Sequence, residues 1–116
     1  MKKVYLIFLV YTIVSCEAIL VEDISNDSLV LLAPTDNSVV TSGNITFSWQ
    51  LLDEAEMYEV QMATPNFQNA NQILLDSVTD SNTLIRNFDS GTYQWRVKAI
   101  NAEYETGYSL ASFTVN

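Results

Sequence analysis

The segment Tyr93-Gln94-Trp95-Arg96-Val97-Lys98-Ala99 alternates apolar and polar side chains without a break. Successive side chains of an extended strand point to opposite faces, so this segment can bury one face and keep the other in water. The same period of two recurs in Ile45, Phe47 and Trp49, set against Thr46 and Ser48 after the turn at Ser42-Gly43-Asn44. It recurs again in Tyr58, Val60 and Met62, set against Glu59 and Gln61. Leu29 to Ala33 (stopped by Pro34 and the cluster Thr35 to Ser38), Ile73 to Val78, Thr83 to Phe88 and Ser109 to Val115 bring the count to seven short runs. Pro65 and the Asn/Gln-rich residues 66–72 read as a loop. Leu51 to Glu59 holds good helix formers, but Asp53, Glu54 and Glu56 fit an exposed connection, and it is read as a loop. With no helical periodicity of useful length, the pattern predicts an all-β fold: a seven-stranded antiparallel two-sheet sandwich.

Cys16 is the only cysteine, so no disulfide can form within the chain. The sandwich must rely on its aromatic residues, and Phe47, Trp49, Tyr58, Tyr93, Trp95 and Phe113 are the expected core. The Tyr93 hydroxyl is expected to tie down the turn before its strand.

Ahead of the β pattern stand Lys2 and Lys3, then an apolar stretch of eleven residues from Val4 to Val14 broken only by Thr12, then Ser15 and Cys16. A positive start, a short apolar run and a small residue before a boundary are the layout of a secretory signal. Eleven apolar residues fall short of the about twenty needed to span a bilayer. The chain therefore divides into a signal (1–15), a cysteine with an acidic tether carrying Glu17, Glu22, Asp23 and Asp27 (16–28), and a domain (29–116). Fully extended, residues 17–28 reach about 40 Å. The sequence Ile13-Val14-Ser15-Cys16 resembles the lipobox of bacterial lipoproteins. That resemblance implies a Cys16 thiol alkylated by diacylglycerol, cleavage just before it, and acylation of the new amino terminus. It implies an address in the bacterial cell envelope, lipid-anchored, with the outer membrane (periplasmic or surface-facing) as the expected site. Two or more acyl chains make such anchoring stable. Acids behind the cysteine can direct sorting in such families, and Glu17 with Glu22-Asp23 stand in that place; a plain solvated spacer is the alternative. An uncleaved anchor, or an ordinary cleaved signal leaving a free Cys16 thiol, are the other readings of the segment.

The formal charge of the whole chain is −9. Without the signal, Arg86, Arg96 and Lys98 face all fourteen acids, a formal charge of −11. Nucleic acid is excluded as a partner, because phosphate binding needs clustered Lys and Arg. The chain has no histidine, and with Cys16 committed to the anchor no thiol nucleophile is left. The groups Asp53/Glu54/Glu56 and Asp76/Asp80 lack the spacing and turn glycine of a calcium loop. A domain this small also leaves little room for a cleft between paired carboxylates. The expectation is a protein without enzymatic activity, metal or cofactor. The sequons at Asn26 and Asn44 are coincidental in such a chain.

The body resembles a fibronectin type III domain of the kind found in exported bacterial proteins. The resemblance rests on Phe47-Ser48-Trp49, on Glu54 to Ala63 with Tyr58 opening its strand, and on Gly91 to Asn101 with Tyr93, Val97, Ala99 and Asn101. It continues through Gly107-Tyr108-Ser109 and Phe113-Thr114-Val115. An immunoglobulin domain fits less well, since Trp49 lies on the second strand and no cysteine pair exists. The family's strand order implies that Glu59 and Gln61 lie beside Gln94, Arg96 and Lys98, forming a polar platform for a partner or a set of cross-strand charge pairs. In the final turn, 101–108, Tyr104 is expected to be an exposed aromatic contact and Tyr108 to pack under the loop. No Arg-Gly-Asp adhesive signal is present. The function implied is a membrane-anchored, non-catalytic binding or structural module of the envelope that presents its sandwich to a protein partner. The alternative is a carbohydrate-binding accessory lipoprotein of a polysaccharide-handling system, with a glycan as ligand.

Overall fold

A computed structural model describes residues 20–116, so the signal segment, Cys16 and Glu17 lie outside the described residues. Eight strands follow in chain order: β1 (Leu31–Ala33), β2 (Ser38–Val40), β3 (Gly43–Trp49), β4 (Met57–Thr64), β5 (Gln72–Thr79), β6 (Thr83–Phe88), β7 (Gly91–Ile100) and β8 (Ser109–Val115). They form two sheets, ordered β1-β3-β6 and β2-β8-β7-β4-β5. The all-β two-sheet sandwich is as the alternation predicts, while the loop expected over Leu51 to Glu59 ends at Glu56, because Met57 already opens β4.

Two features differ from the expected seven antiparallel strands. Leu29 and Val30 precede the first strand rather than opening it. The cluster after Pro34 yields an extra strand, β2, which runs parallel to β8 through Ser38↔Phe113, Val39↔Thr114 and Val40↔Val115. The chain turns through Asn37, whose positive φ of 62° suits an asparagine, and crosses from one sheet to the other. Such a short crossing strand carries too few residues to announce itself by periodicity.

The core lies where the inward positions of the two sheets meet. Across β4 and β7, Tyr58↔Ala99, Val60↔Val97 and Met62↔Trp95 are cross-strand neighbours and all six are buried. The expected aromatic six are buried as well, joined by Phe88. Phe47 sits at the centre, edge-on to Phe88, Trp95 and Phe113 with ring centroids 5.7, 5.2 and 5.5 Å away. Edge-to-face pairs of this kind add to plain apolar burial. Trp95 Nε1 donates to the Pro34 carbonyl at 3.2 Å, tying the crossing segment to the core. The Tyr93 hydroxyl donates to the Asp89 carbonyl at 2.8 Å, the expected tether of the β6–β7 turn. A Cβ on Gly91 would lie 3.2 Å from that hydroxyl, a tight contact that the Tyr93 ring would have to relieve by shifting a few tenths of an ångström.

The stretch 17–28, expected to be an extended spacer, is not free over its second half. Ile24 is 0% exposed and belongs to the core cluster. Asn101 Nδ2 donates to the Glu22 carbonyl at 2.8 Å and to the Glu54 carbonyl at 3.3 Å, and the Ser109 hydroxyl donates to the Leu29 carbonyl at 2.7 Å. Residues 22–29 thus form a strap across the end of the sandwich that carries the β3–β4 and β7–β8 connections. The physical reason is that Ile24 and Leu29 are apolar side chains in an otherwise acidic and polar stretch, and both gain by burial in the core cluster.

Trp49→Ala is expected to cost about 3–5 kcal/mol in urea unfolding. Ile24→Ala is expected to cost about 2–5 kcal/mol; a free spacer would show no change at that position.

Candidate functional site

Residues directly opposite in an antiparallel pair share a face. Because Tyr58, Val60 and Met62 point inward, Glu59↔Lys98, Gln61↔Arg96 and Ala63↔Gln94 form successive rows on the outward face of the five-stranded sheet. The structure therefore brings together the platform residues Glu59, Gln61, Gln94, Arg96 and Lys98. Neighbouring strands add Leu110 opposite Arg96, Ser112 opposite Gln94, and Val78 opposite Glu59.

These side chains bond to one another. Lys98 Nζ lies 3.1 Å from a Glu59 carboxylate oxygen and 3.2 Å from one of Glu105, with the Lys98 and Glu59 side chains 16% and 18% exposed. Burial alone would lower the Lys98 pKa, but the hydrogen bonds to Glu59 and Glu105 outweigh it and raise it to about 12. Gln61 Nε2 donates to Glu59 Oε1 at 3.3 Å, and Gln61 Oε1 accepts from Arg96 Nε and Nη2 at 2.8 and 2.6 Å. The Arg96 guanidinium is held between two aromatic rings, 4.0 Å from the Phe67 centroid and 4.2 Å from that of Tyr108. A cation at such distances is attracted by the ring quadrupole. Gln94 fixes the Phe67 side of this sandwich, since its Oε1 accepts from the Phe67 backbone N–H at 3.0 Å while its Nε2 donates to Ser112 Oγ at 3.0 Å. The Tyr108 hydroxyl has its pKa raised, first by burial and then by the negative charge of Glu59.

The two tyrosines of the final turn exchange their expected places. Tyr104 is half-buried and packs against the core. Tyr108 is 37% exposed and lies on the sheet face. Asn101 is the cause: its Oδ1 accepts from the backbone N–H groups of Glu103 and Tyr104 at 3.1 and 2.8 Å, which winds the turn inward at that point. Thr106 Oγ1 then accepts from the Ala99 N–H at 3.0 Å, drawing the chain back so that Tyr108 emerges over β7. Phe67, Tyr108 and Glu105 were not among the platform residues expected from sequence. Phe67 carries the one signal that was available, a lone large apolar residue within an Asn/Gln-rich loop.

Among the described residues, no group of three metal-ligating side chains converges, and no helix is long and apolar enough to cross a membrane. Asp53, Glu54 and Glu56 are exposed in their loop, while Asp76 faces solvent on β5 and Asp80 lies just beyond it.

No family model matches the sequence, and no curated protein matches it either. Solved structures do resemble it. An engineered protein superposes with a TM-score of 0.62 at 14% identity over 77% of this chain, which spans only 20% of that protein. The fibronectin type III domain derived from the human KIAA0970 protein superposes with a TM-score of 0.55 at 14% identity, covering 75% of this chain and 72% of that one. The protein FN3tt gives 0.54 at 14% identity, covering 76% and 95%. The body of this chain is a fibronectin type III-like β-sandwich.

The folded-state pKa of Lys98 lies above the about 10.4 of an unfolded lysine. Its ion pairs therefore contribute fully below about pH 10.4, and that contribution disappears as pH rises through about 12. The stability gap between the wild type and Lys98→Gln is expected to be wide at about pH 8 and to narrow toward pH 12; a gap that ignores pH would show the pairs to be energetically idle.

Proposed function

We propose that this protein is a membrane-anchored, non-catalytic module of the bacterial cell envelope that presents its sandwich to a protein partner. A fibronectin type III-like sandwich fits a binding or structural role. The observation that carries the protein-partner reading is the composition of the outward sheet face. Arg96 is laminated between Phe67 and Tyr108, and Leu110, Ile73 and Val78 are exposed around it at 48%, 50% and 57%. Aromatic residues and arginine, ringed by apolar and polar groups, are what the centres of protein interfaces are enriched in. The face is also preorganised, because each of its long side chains is already held by a neighbour, which lowers the ordering cost of binding.

The anchor reading rests on Lys2-Lys3, the apolar run and Ile13-Val14-Ser15-Cys16. The strap adds an orientation to it. Only seven residues lie between Cys16 and Ile24, a reach of about 28 Å over eight extended steps. In an anchored protein, the sandwich end bearing 50–56 and 101–108 would face the lipid. The long sheet face and the opposite end would face outward.

Crosslinking in the native envelope is expected to capture one stoichiometric protein through positions on the outward sheet face. A panel of glycans is expected to leave the melting temperature unchanged, and a glycan-dependent rise would favour the carbohydrate-binding alternative. Cys16→Ala is expected to abolish incorporation of labelled fatty acid and to release the protein from membranes; unchanged retention would overturn the anchor.

A further inference from the structure

The sandwich has four sheet edges, β1 and β6 on one sheet and β2 and β5 on the other. An unpaired edge offers free N–H and C=O groups to any strand that can reach them, unless the edge is short, charged or covered. β1 and β2 are three residues each. β6 is six residues long and carries a cation, Arg86, whose Nη1 occupies one carbonyl, that of Ile85, at 2.7 Å. β5 is the longest of the four edges, and its one charged side chain is Asp76. It runs for eight residues without proline, lysine or arginine, and its one irregularity is a bulge that leaves Leu74 unpaired against β4.

Beside that edge, between β5 and β6, opens a cavity of about 270 Å³. Leu74 and Leu75 line it from β5, Phe88 and Tyr93 from the core, and Arg86 and Asp89 from the opposite wall. The space is large enough to admit an aliphatic or aromatic side chain. We propose that β5 is a docking edge: an extended, net-basic segment of a protein partner adds as a strand along Gln72–Thr79 and places an apolar side chain in the cavity. Main-chain hydrogen bonds would supply affinity, and the cavity would select the side chain. Charge decides the occupant. The described residues carry thirteen acids against three cations, with Asp76 in β5 and Asp80 just beyond it. A second copy of this chain would bring the same excess of negative charge to the edge and be repelled, whereas a basic segment is attracted. The proposal rests on the reading of the protein as a partner-presenting module and names the edge that module uses.

The test uses the full chain in non-ionic detergent and a seven-residue probe peptide, Lys-Thr-Lys-Leu-Lys-Thr-Lys, whose single leucine is meant for the cavity. Amide hydrogen exchange is expected to slow on binding within residues 72–79 and not in β6. A probe with alternate amides N-methylated keeps its charge but loses main-chain donors, and it is expected to bind at least tenfold more weakly. Replacing its lysines by glutamates should weaken binding at least as much. Asp76→Lys, at an exposed position opposite Gln61, should weaken the lysine probe severalfold while the unfolding midpoint, measured alongside, reports whether the fold is kept. Equal binding of the N-methylated probe, protection located elsewhere, or concentration-dependent self-pairing through β5 would each overturn the proposal. A partner captured in the envelope that contacts only the outward face, away from β5, would overturn it and leave the module reading standing. Failure to capture any stoichiometric partner would instead remove the module reading.

Discussion

The edge-to-face contacts around Phe47 hold the two sheets together in a chain whose one cysteine leaves nothing to bridge them. Phe47 reaches from β3 of the small sheet to Trp95 and Phe113 of the large one, and Phe88 closes the third side. Tyr93 stacks on Phe113 with centroids 5.4 Å apart, extending the cluster toward the β6–β7 turn that its hydroxyl fixes. Trp49 and Tyr58 form a second pair, 5.7 Å apart, nearer the strap end. The positions of the strand ends, and so of everything displayed on them, follow from how these rings interlock. A cross-sheet disulfide would tolerate looser packing; a ring cluster does not, because dispersion contacts vanish with small gaps.

On the outward side of the same strands, charge is arranged to be self-sufficient. Two of the three cations among the described residues sit on that face, and each is enclosed by groups of this chain: Lys98 by two carboxylates, Arg96 by a glutamine and two rings. In so acidic a body this gives one region of locally balanced charge surrounded by negative potential. The residues pair across strands, and the pairing holds their long side chains in place.

The parts legible in the sequence were those with a strong local period. β3, β4 and β7 alternate over several residues, and their inward and outward faces followed from that alone. That Glu59 and Gln61 neighbour Gln94, Arg96 and Lys98 followed from the strand order of the family the sequence resembles, not from the period itself. What escaped was set by single residues acting through space. Ile24 is one apolar side chain in an acidic stretch, with no period to mark it. β2 is three residues long and pairs with the far end of the chain. The exchange of Tyr104 and Tyr108 depends on one asparagine side chain that accepts two backbone donors. Phe67 reaches Arg96 only because a loop folds over the sheet.

Asn101 and Ile24 together have a mechanical meaning. The strap is joined to the body by a few side-chain hydrogen bonds and two buried side chains, Ile24 and Leu29, whereas the strands behind it are laced by long ladders. Tension entering from the amino terminus would therefore meet its weakest joint first and peel residues 22–29 while the sandwich stays intact. Each peeled residue would release roughly 3.3–3.6 Å of chain, so that a body under such a pull could yield by paying out slack instead of unfolding.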